Sequence, residues 1–286
     1  MAEAEGPEDV WALAEALRTV DFKDSQPFRQ SMFAYLARHK RVVRAVLRVH
    51  AKLRGTPLAT LAIAAYGLTG FVLTRRPKAA GRLWAVGVYR NEQRQFEFVQ
   101  ERLGEAVPAV RIGVARGASL SGLWGALRFL GSRERRRWYW RLVSKYDRAD
   151  GFLVAARVAS TAAYYVRALR LLAGAPDVRA VLVSSDSNPY AMGFAAAARR
   201  LGRCVVYIPH GHLPEDPPPL HADLSLLDGP ALQRVYERAG PIRGRVVFKG
   251  AEGESRPMNL AGLARPRLRL GVFMSILVDW SVVGDL

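Results

Sequence analysis

The chain has 286 residues, half of them hydrophobic, enough for one large domain or one domain with an appendage. Its 43 Lys+Arg against 25 Asp+Glu give a formal net charge of +18, so phosphate-bearing partners are favoured: anionic lipid, nucleotide-sugar or nucleic acid. One cysteine, Cys204, excludes an internal disulfide and a cysteine-based metal cluster, which makes the cytoplasm the default compartment.

Residues 1–10 are acidic and polar, with no basic stretch before an apolar core, so no secretory signal is expected. Residues 8–20 carry Val10, Leu13, Leu17 and Val20 at helical spacing. Residues 28–54 form a second helical candidate, in which Arg38, Lys40, Arg41, Arg44, Arg48, Lys52 and Arg54 interleave with valines and leucines. An uncharged run from Gly55 to Thr74 comes next, closed by Arg75, Arg76 and Lys78. At about 20 residues it is just long enough to span a bilayer. Its Ala, Thr and Gly content also suits a buried core helix. Residues 1–78 are therefore read as a basic helical segment that associates with a membrane or packs on the neighbouring domain.

From residue 83 strands and helices alternate. Residues 83–89 and 110–114 read as strands, and 91–103 as a helix capped by Asn91. Residues 119–173 are mostly helical and include Arg133 to Arg141 (RERRRWYWR). That stretch fits either nucleic-acid stacking or a lipid headgroup zone. It equally fits an amphipathic helix with Trp138 and Leu142 buried and its arginines solvated. Strands at 179–185, 203–208, 223–227 and 245–249 then alternate with helices at 189–201 and 230–239. The pattern predicts an α/β fold, a Rossmann-like parallel sheet with helices on both faces, over residues 79–265. Residues 251–267 read as a linker. The strand pattern at 268–273 predicts that residues 266–286 begin a second, truncated Rossmann-like domain, which would leave the chain incomplete and inactive alone.

Ligands of open α/β sheets bind beyond the carboxyl ends of the strands. Two loops qualify. One runs Ser184-Ser185-Asp186-Ser187-Asn188, and the other Pro209-His210-Gly211-His212. His210 is the candidate base, because an unperturbed imidazole titrates near neutrality. Asp186 would orient or polarise it. Gly211 leaves room for a phosphate or sugar, and the helix starting at Pro189 turns its amino end to the same crevice. Ser184, Ser185, Asn188, Gly211 and His212 are the candidate substrate-binding residues. His221 is read as loop. No GxGxxG, GxxxxGK[ST] or GxSxG motif and no metal-ligand spacing is present, so neither a cofactor nor a metal is expected.

The stretch from Ser184 to Gly250 reads SSDSNPY, small-residue helix, strand, PHG, a Pro-rich loop, HADLSLLDG, helix, RVVFKG. It resembles the N-terminal domain of GT-B-type bacterial surface-polysaccharide enzymes: capsule and polysialic-acid transferases and the glycerophosphotransferases of teichoic acid synthesis. His210-Gly211 matches the HG pair of that group, Ala222-Asp223 its AD, and Gly229 and Gly250 its later glycines. After the HG pair this chain reads His212-Leu213-Pro214. The resemblance implies a cytoplasmic glycosyltransferase-like protein at the inner face of the cell membrane. It would move a sugar or sugar-phosphate unit from a nucleotide-sugar donor to a glycan or lipid-linked acceptor. Sugar-nucleotide 2-epimerases share the layout. The alternative from composition is a non-catalytic basic module for anionic lipid or nucleic acid, of which nucleic acid is the less expected partner.

Overall fold

A computed structural model describes residues 40–249 apart from 79, 105–106, 114–117, 186–187 and 211–219. The expectations for residues 1–39 and for the second domain from 266 lie outside the described residues.

Helix α1 (Arg41–Leu53) and helix α2 (Pro57–Val72) open the described chain, followed by a two-residue strand β1 (Thr74–Arg75). Then come β2 (Leu83–Gly87), α3 (Arg90–Leu103) and β3 (Ala109–Ile112). Three helices succeed them: α4 (Leu120–Gly131), α5 (Arg133–Ala149) and α6 (Phe152–Ala173). The chain continues through β4 (Ala180–Val183), α7 (Pro189–Arg200), β5 (Cys204–Tyr207), β6 (Leu224–Leu227), α8 (Pro230–Ala239) and β7 (Arg245–Phe248). The strands join in one sheet of order β1-β3-β2-β4-β5-β6-β7. All pairs are parallel except β1 with β3. The expected α/β, Rossmann-like layout is therefore present.

Strand alternation divides the core in two. Trp84, Val86, Val181, Val183, Val205 and Tyr207 face one layer, built with α2 and α4 to α8. Ala85, Leu182, Val206 and Ile208 face the other, where Phe96 and Val99 of α3 meet them. This split arises from chain direction. The step from β2 to β3 runs one way along the sheet and every later step the other. Right-handed crossovers then place α3 on the opposite face from α6, α7 and α8.

The uncharged run forms one 16-residue helix, too short at 1.5 Å rise per residue for a bilayer core of about 30 Å. No helix among the described residues is long and apolar enough to cross a membrane. Ile63 and Phe71 of α2 are fully buried, and its inner face packs on α6. Gly67 permits that contact: a Cβ there would lie 2.7 Å from the Cβ of Ala159. The core-helix reading of this segment holds for one face only. Leu58, Leu61 and Tyr66 on the other face are exposed. In the Arg-rich stretch Trp138, Tyr139 and Leu142 are buried while Arg133 and residues 135–137 are exposed. That is the solvated amphipathic helix, and it withdraws two of the three aromatic rings from any stacking surface.

α1 is tied down by one buried carboxylate. Asp147 of α5 is fully buried and receives His50 Nε2 at 2.7 Å, the Gly55 backbone N–H at 3.1 Å and the Thr60 hydroxyl at 3.2 Å. Arg54 donates to the carbonyls of Asp147, Arg148 and Ala149, closing the carboxyl end of α5.

Candidate functional site

The strand order reverses between β2 and β4, so the crevice that such sheets use for ligands lies at their carboxyl ends. Three segments leave the sheet there: Val88 to Asn91 after β2, Ser184 to Asn188 after β4, and Ile208 to His210 after β5.

The last two are bonded into one unit. The Ile208 N–H donates to Val183 O at 3.1 Å, and the Ser184 hydroxyl donates to Ile208 O at 2.8 Å. His210 Nδ1 makes a short contact with the Ser184 carbonyl oxygen. A carbonyl only accepts, so this contact places the imidazole proton on Nδ1. In the neutral ring this tautomer carries its lone pair on Nε2, the atom from which a general base acts. Asn91 Nδ2 reaches His210 O at 3.4 Å and brings the start of α3 to the same point. Ser184, Ser185, Asn188 and His210 are thus gathered at the switch point. Asp186, Gly211 and His212 lie outside the described residues.

A polar cluster that sequence reading missed supports the crevice. Glu92 is fully buried, and its Oε2 accepts from the backbone N–H groups of Val88 (2.6 Å) and Tyr89 (2.9 Å). Its Oε1 accepts from the Tyr190 hydroxyl at 2.7 Å. The Tyr190 oxygen in turn accepts from Asn188 Nδ2 at 2.8 Å. The Ser185 hydroxyl accepts the Asn188 backbone N–H at 3.1 Å. Burial, with the adjacent Glu92 carboxylate and Tyr89, pushes the Tyr190 phenol far above its ordinary range, so it stays a proton donor. The cluster locks the turn after β2 to the first turn of α7. One local cue was available: a Glu three residues after the helix cap, the spacing of a capping box. The expected cap was Asn91, however. The helix begins at Arg90 with Tyr89 as cap, so Asn91 lies inside its first turn and is freed to reach His210.

Tyr89 is half exposed at this rim, its backbone N–H held by the buried Glu92 carboxylate. Beside it, a groove of about 600 Å3 runs from Gly87 to Arg111, lined also by Gln93, Glu97 and Gln100. The groove exists because α3 leans over β4 to β6. Phe96 and Val99 join one buried cluster with Leu182 and Val206, and Lys249 donates to Gln95 at 2.8 Å while pairing with Asp228 at 2.8 Å. Ala109 and Arg111 of β3 are left uncovered.

No family model, curated protein or solved structure matches this chain. The other motif residues take structural places. Asp223 of the AD pair accepts the Val205 N–H at 2.7 Å, at the opposite end of β5 from His210. His221 offers its carbonyl to Arg199, and burial with Arg199 and Arg243 lowers its imidazole pKa. Among the described residues no group of His, Cys, Asp and Glu could hold a metal ion.

Proposed function

We propose that this chain is a glycosyltransferase-like protein of surface-polysaccharide synthesis, in which His210 Nε2 removes the proton from an acceptor hydroxyl. The observation that carries the reading is the His210 Nδ1 contact with the Ser184 carbonyl at the switch point of a parallel sheet. It supplies an oriented base where such folds hold their ligands. A sugar hydroxyl is a poor nucleophile while protonated, so base assistance in the transition state is the chemistry this group offers.

The surroundings suit a sugar and its phosphates. Tyr89 offers an exposed ring face for a base or pyranose. The carboxamides and charges along the groove, Gln93, Gln100, Glu97 and Arg111, match the hydroxyls of a glycan. The N-terminus of α7 faces the crevice with no acidic residue in its first turn, which favours a phosphate. Asp186, from the same segment, is the residue assigned to orient His210. The half of a GT-B fold that the motif resemblance implies is compatible with this strand order. On this reading the chain works in the cytoplasm against the inner face of the cell membrane, where lipid-linked acceptors are found.

The test uses the full-length protein as its source expresses it, with a panel of uridine, guanosine and cytidine nucleotide-sugars. Saturation-transfer NMR should detect donor binding, and nucleotide release should rise when a glycan acceptor is added. His210→Ala should lower that release by about 10²-fold with donor affinity retained. Absence of any nucleotide-sugar binding would overturn the reading, as would unchanged release in the variant.

A further inference from the structure

We propose that the exposed apolar rows of α1, α2 and α4, rimmed by arginine and lysine, dock this chain onto the surface of an anionic bilayer. The proposal rests on the membrane-face location given under the proposed function. Its test measures lipid binding and not transfer, so either can fail alone.

Three helices present apolar side chains to solvent at helical spacing. On α4, Leu120 is 85% exposed and Trp124 69%, with Leu123 and Leu127 completing an i, i+3, i+4, i+7 row. On α2, Leu58, Leu61 and Tyr66 are exposed with Ala62 and Ala65 between them. On α1, Val42, Val46 and Val49 form a third row, Val42 at 75% exposure. α2 and α4 belong to one packed layer: a Cβ on Gly122 of α4 would fall 3.1 Å from the Cα of Val72, and the Phe71 and Phe129 rings lie 5.4 Å apart. α2 and α4 have already buried their other faces in the protein, so their rows are a second, outward-facing apolar surface, and the α1 row lies on a helix held mainly by its polar bonds to Asp147. Isolated surface leucines need no explanation, but aligned rows on packed neighbours mark an interaction surface.

Charge selects the occupant. Between Lys40 and Lys78 the sequence has nine Lys or Arg residues and no Asp or Glu. Arg41, Arg48, Lys52, Arg76 and Lys78 are exposed among them. From Ala118 to Arg133 the only charged residues are Arg128 and Arg133, both exposed. A second copy of this chain would set these cations against themselves. Nucleic acid would match the charge but not the leucines and valines. A leaflet of anionic lipid satisfies both, with apolar rows entering the headgroup boundary, Trp124 at the depth that indole prefers, and cations on the phosphates. The contact lies on the surface, since no described helix can span.

The experiment is flotation of the full chain with vesicles of phosphatidylcholine alone or mixed with phosphatidylglycerol. Binding should rise at least about tenfold with the anionic lipid and fall with added salt. Leu61→Gln, Leu123→Gln and Trp124→Gln together should lower it about tenfold or more while leaving the thermal midpoint unchanged, because all three sites are exposed. Dibrominated lipid should quench tryptophan emission in the native chain, and Trp124→Phe should abolish most of that quenching. Equal flotation of native and triple variant would overturn the proposal. So would self-association that the same substitutions abolish without any lipid binding, or retention by nucleic acid in preference to vesicles.

Discussion

The crevice depends on a few side chains whose partners are distant in sequence, and Tyr190 is the most exposed to test. Its hydroxyl bridges Glu92 Oε1 and Asn188 Nδ2, so Tyr190→Phe strips both of their partner in a dry setting. The expected loss is about 1–3 kcal/mol, read from urea unfolding midpoints. The same residue has a pH signature. Tyr190 shares with Tyr139 and Tyr164 a phenol raised above the ordinary 10.0, chiefly by burial. Folding therefore favours the protonated form of all three. Their contribution is complete below about pH 10 and is lost as pH rises through the folded-state values. Stability measured from pH 8 upward should stay level and then fall above pH 10, and Tyr190→Phe should soften that fall. A profile that is flat to strong alkali would contradict the assignment. At the crevice mouth, Tyr89→Ala should weaken donor or acceptor binding by about tenfold with the fold intact, since stacking on one ring contributes on the order of 1–3 kcal/mol. His210 was legible in the sequence because it lies directly past the end of an apolar strand. Glu92 and Tyr190 were not, because they are joined across 98 residues and each alone looks like an ordinary helix residue.

At the level of elements, the parallel strands could be read because both of their faces are buried, which forces continuous apolar runs such as residues 180–183 and 204–207. Strand β1 could not: it is a two-residue antiparallel edge with an arginine, and only its pairing with β3 defines it. The uncharged run 55–74 was ambiguous for a physical reason. Its inner face needs small residues for close approach to α6, and its outer face is apolar as well, so no polar stripe betrays the buried side. Close packing makes it sensitive to volume. Gly67→Ala would push a methyl into Ala159 and the Tyr139 hydroxyl, and should cost about 1–3 kcal/mol. The attachment of α1 is equally specific. Asp147→Ala leaves His50, the Gly55 N–H and the Thr60 hydroxyl facing an apolar gap, and should cost about 3 kcal/mol. Asp147→Asn keeps the size and one acceptor, so it should cost less. A larger loss for Asn than for Ala in thermal unfolding would show that the carboxylate is not the anchor.

Across the described molecule, stability should be graded outward from α6. Seventeen of its 22 residues are buried, and it touches α2, α5 and α7, while β4 beside it sits in the middle of the sheet. Amides with such surroundings open only with the whole fold, because no partial opening exposes them without breaking the larger core layer. β7 is an edge strand whose residues are half-buried or exposed, and α8 buries only Tyr236 fully, held by the Tyr207 hydroxyl at 2.7 Å. α1 has fewer apolar contacts still and relies on Asp147 and Arg54. Hydrogen exchange followed by mass spectrometry should therefore rank α6 and β4 slowest, β2 and β5 next, α8 and β7 faster, and α1 fastest of the helices. The ranking has a mechanistic use. The switch-point loops hang from β2, β4 and β5, so the proposed base would sit on the most rigid part of the sheet, as precise placement requires. Slow exchange in β7 and fast exchange in β4 would reverse this picture and move the rigid platform away from His210. Asp147→Ala should speed exchange in α1 while leaving β4 unchanged, a local effect that global destabilisation alone would not produce.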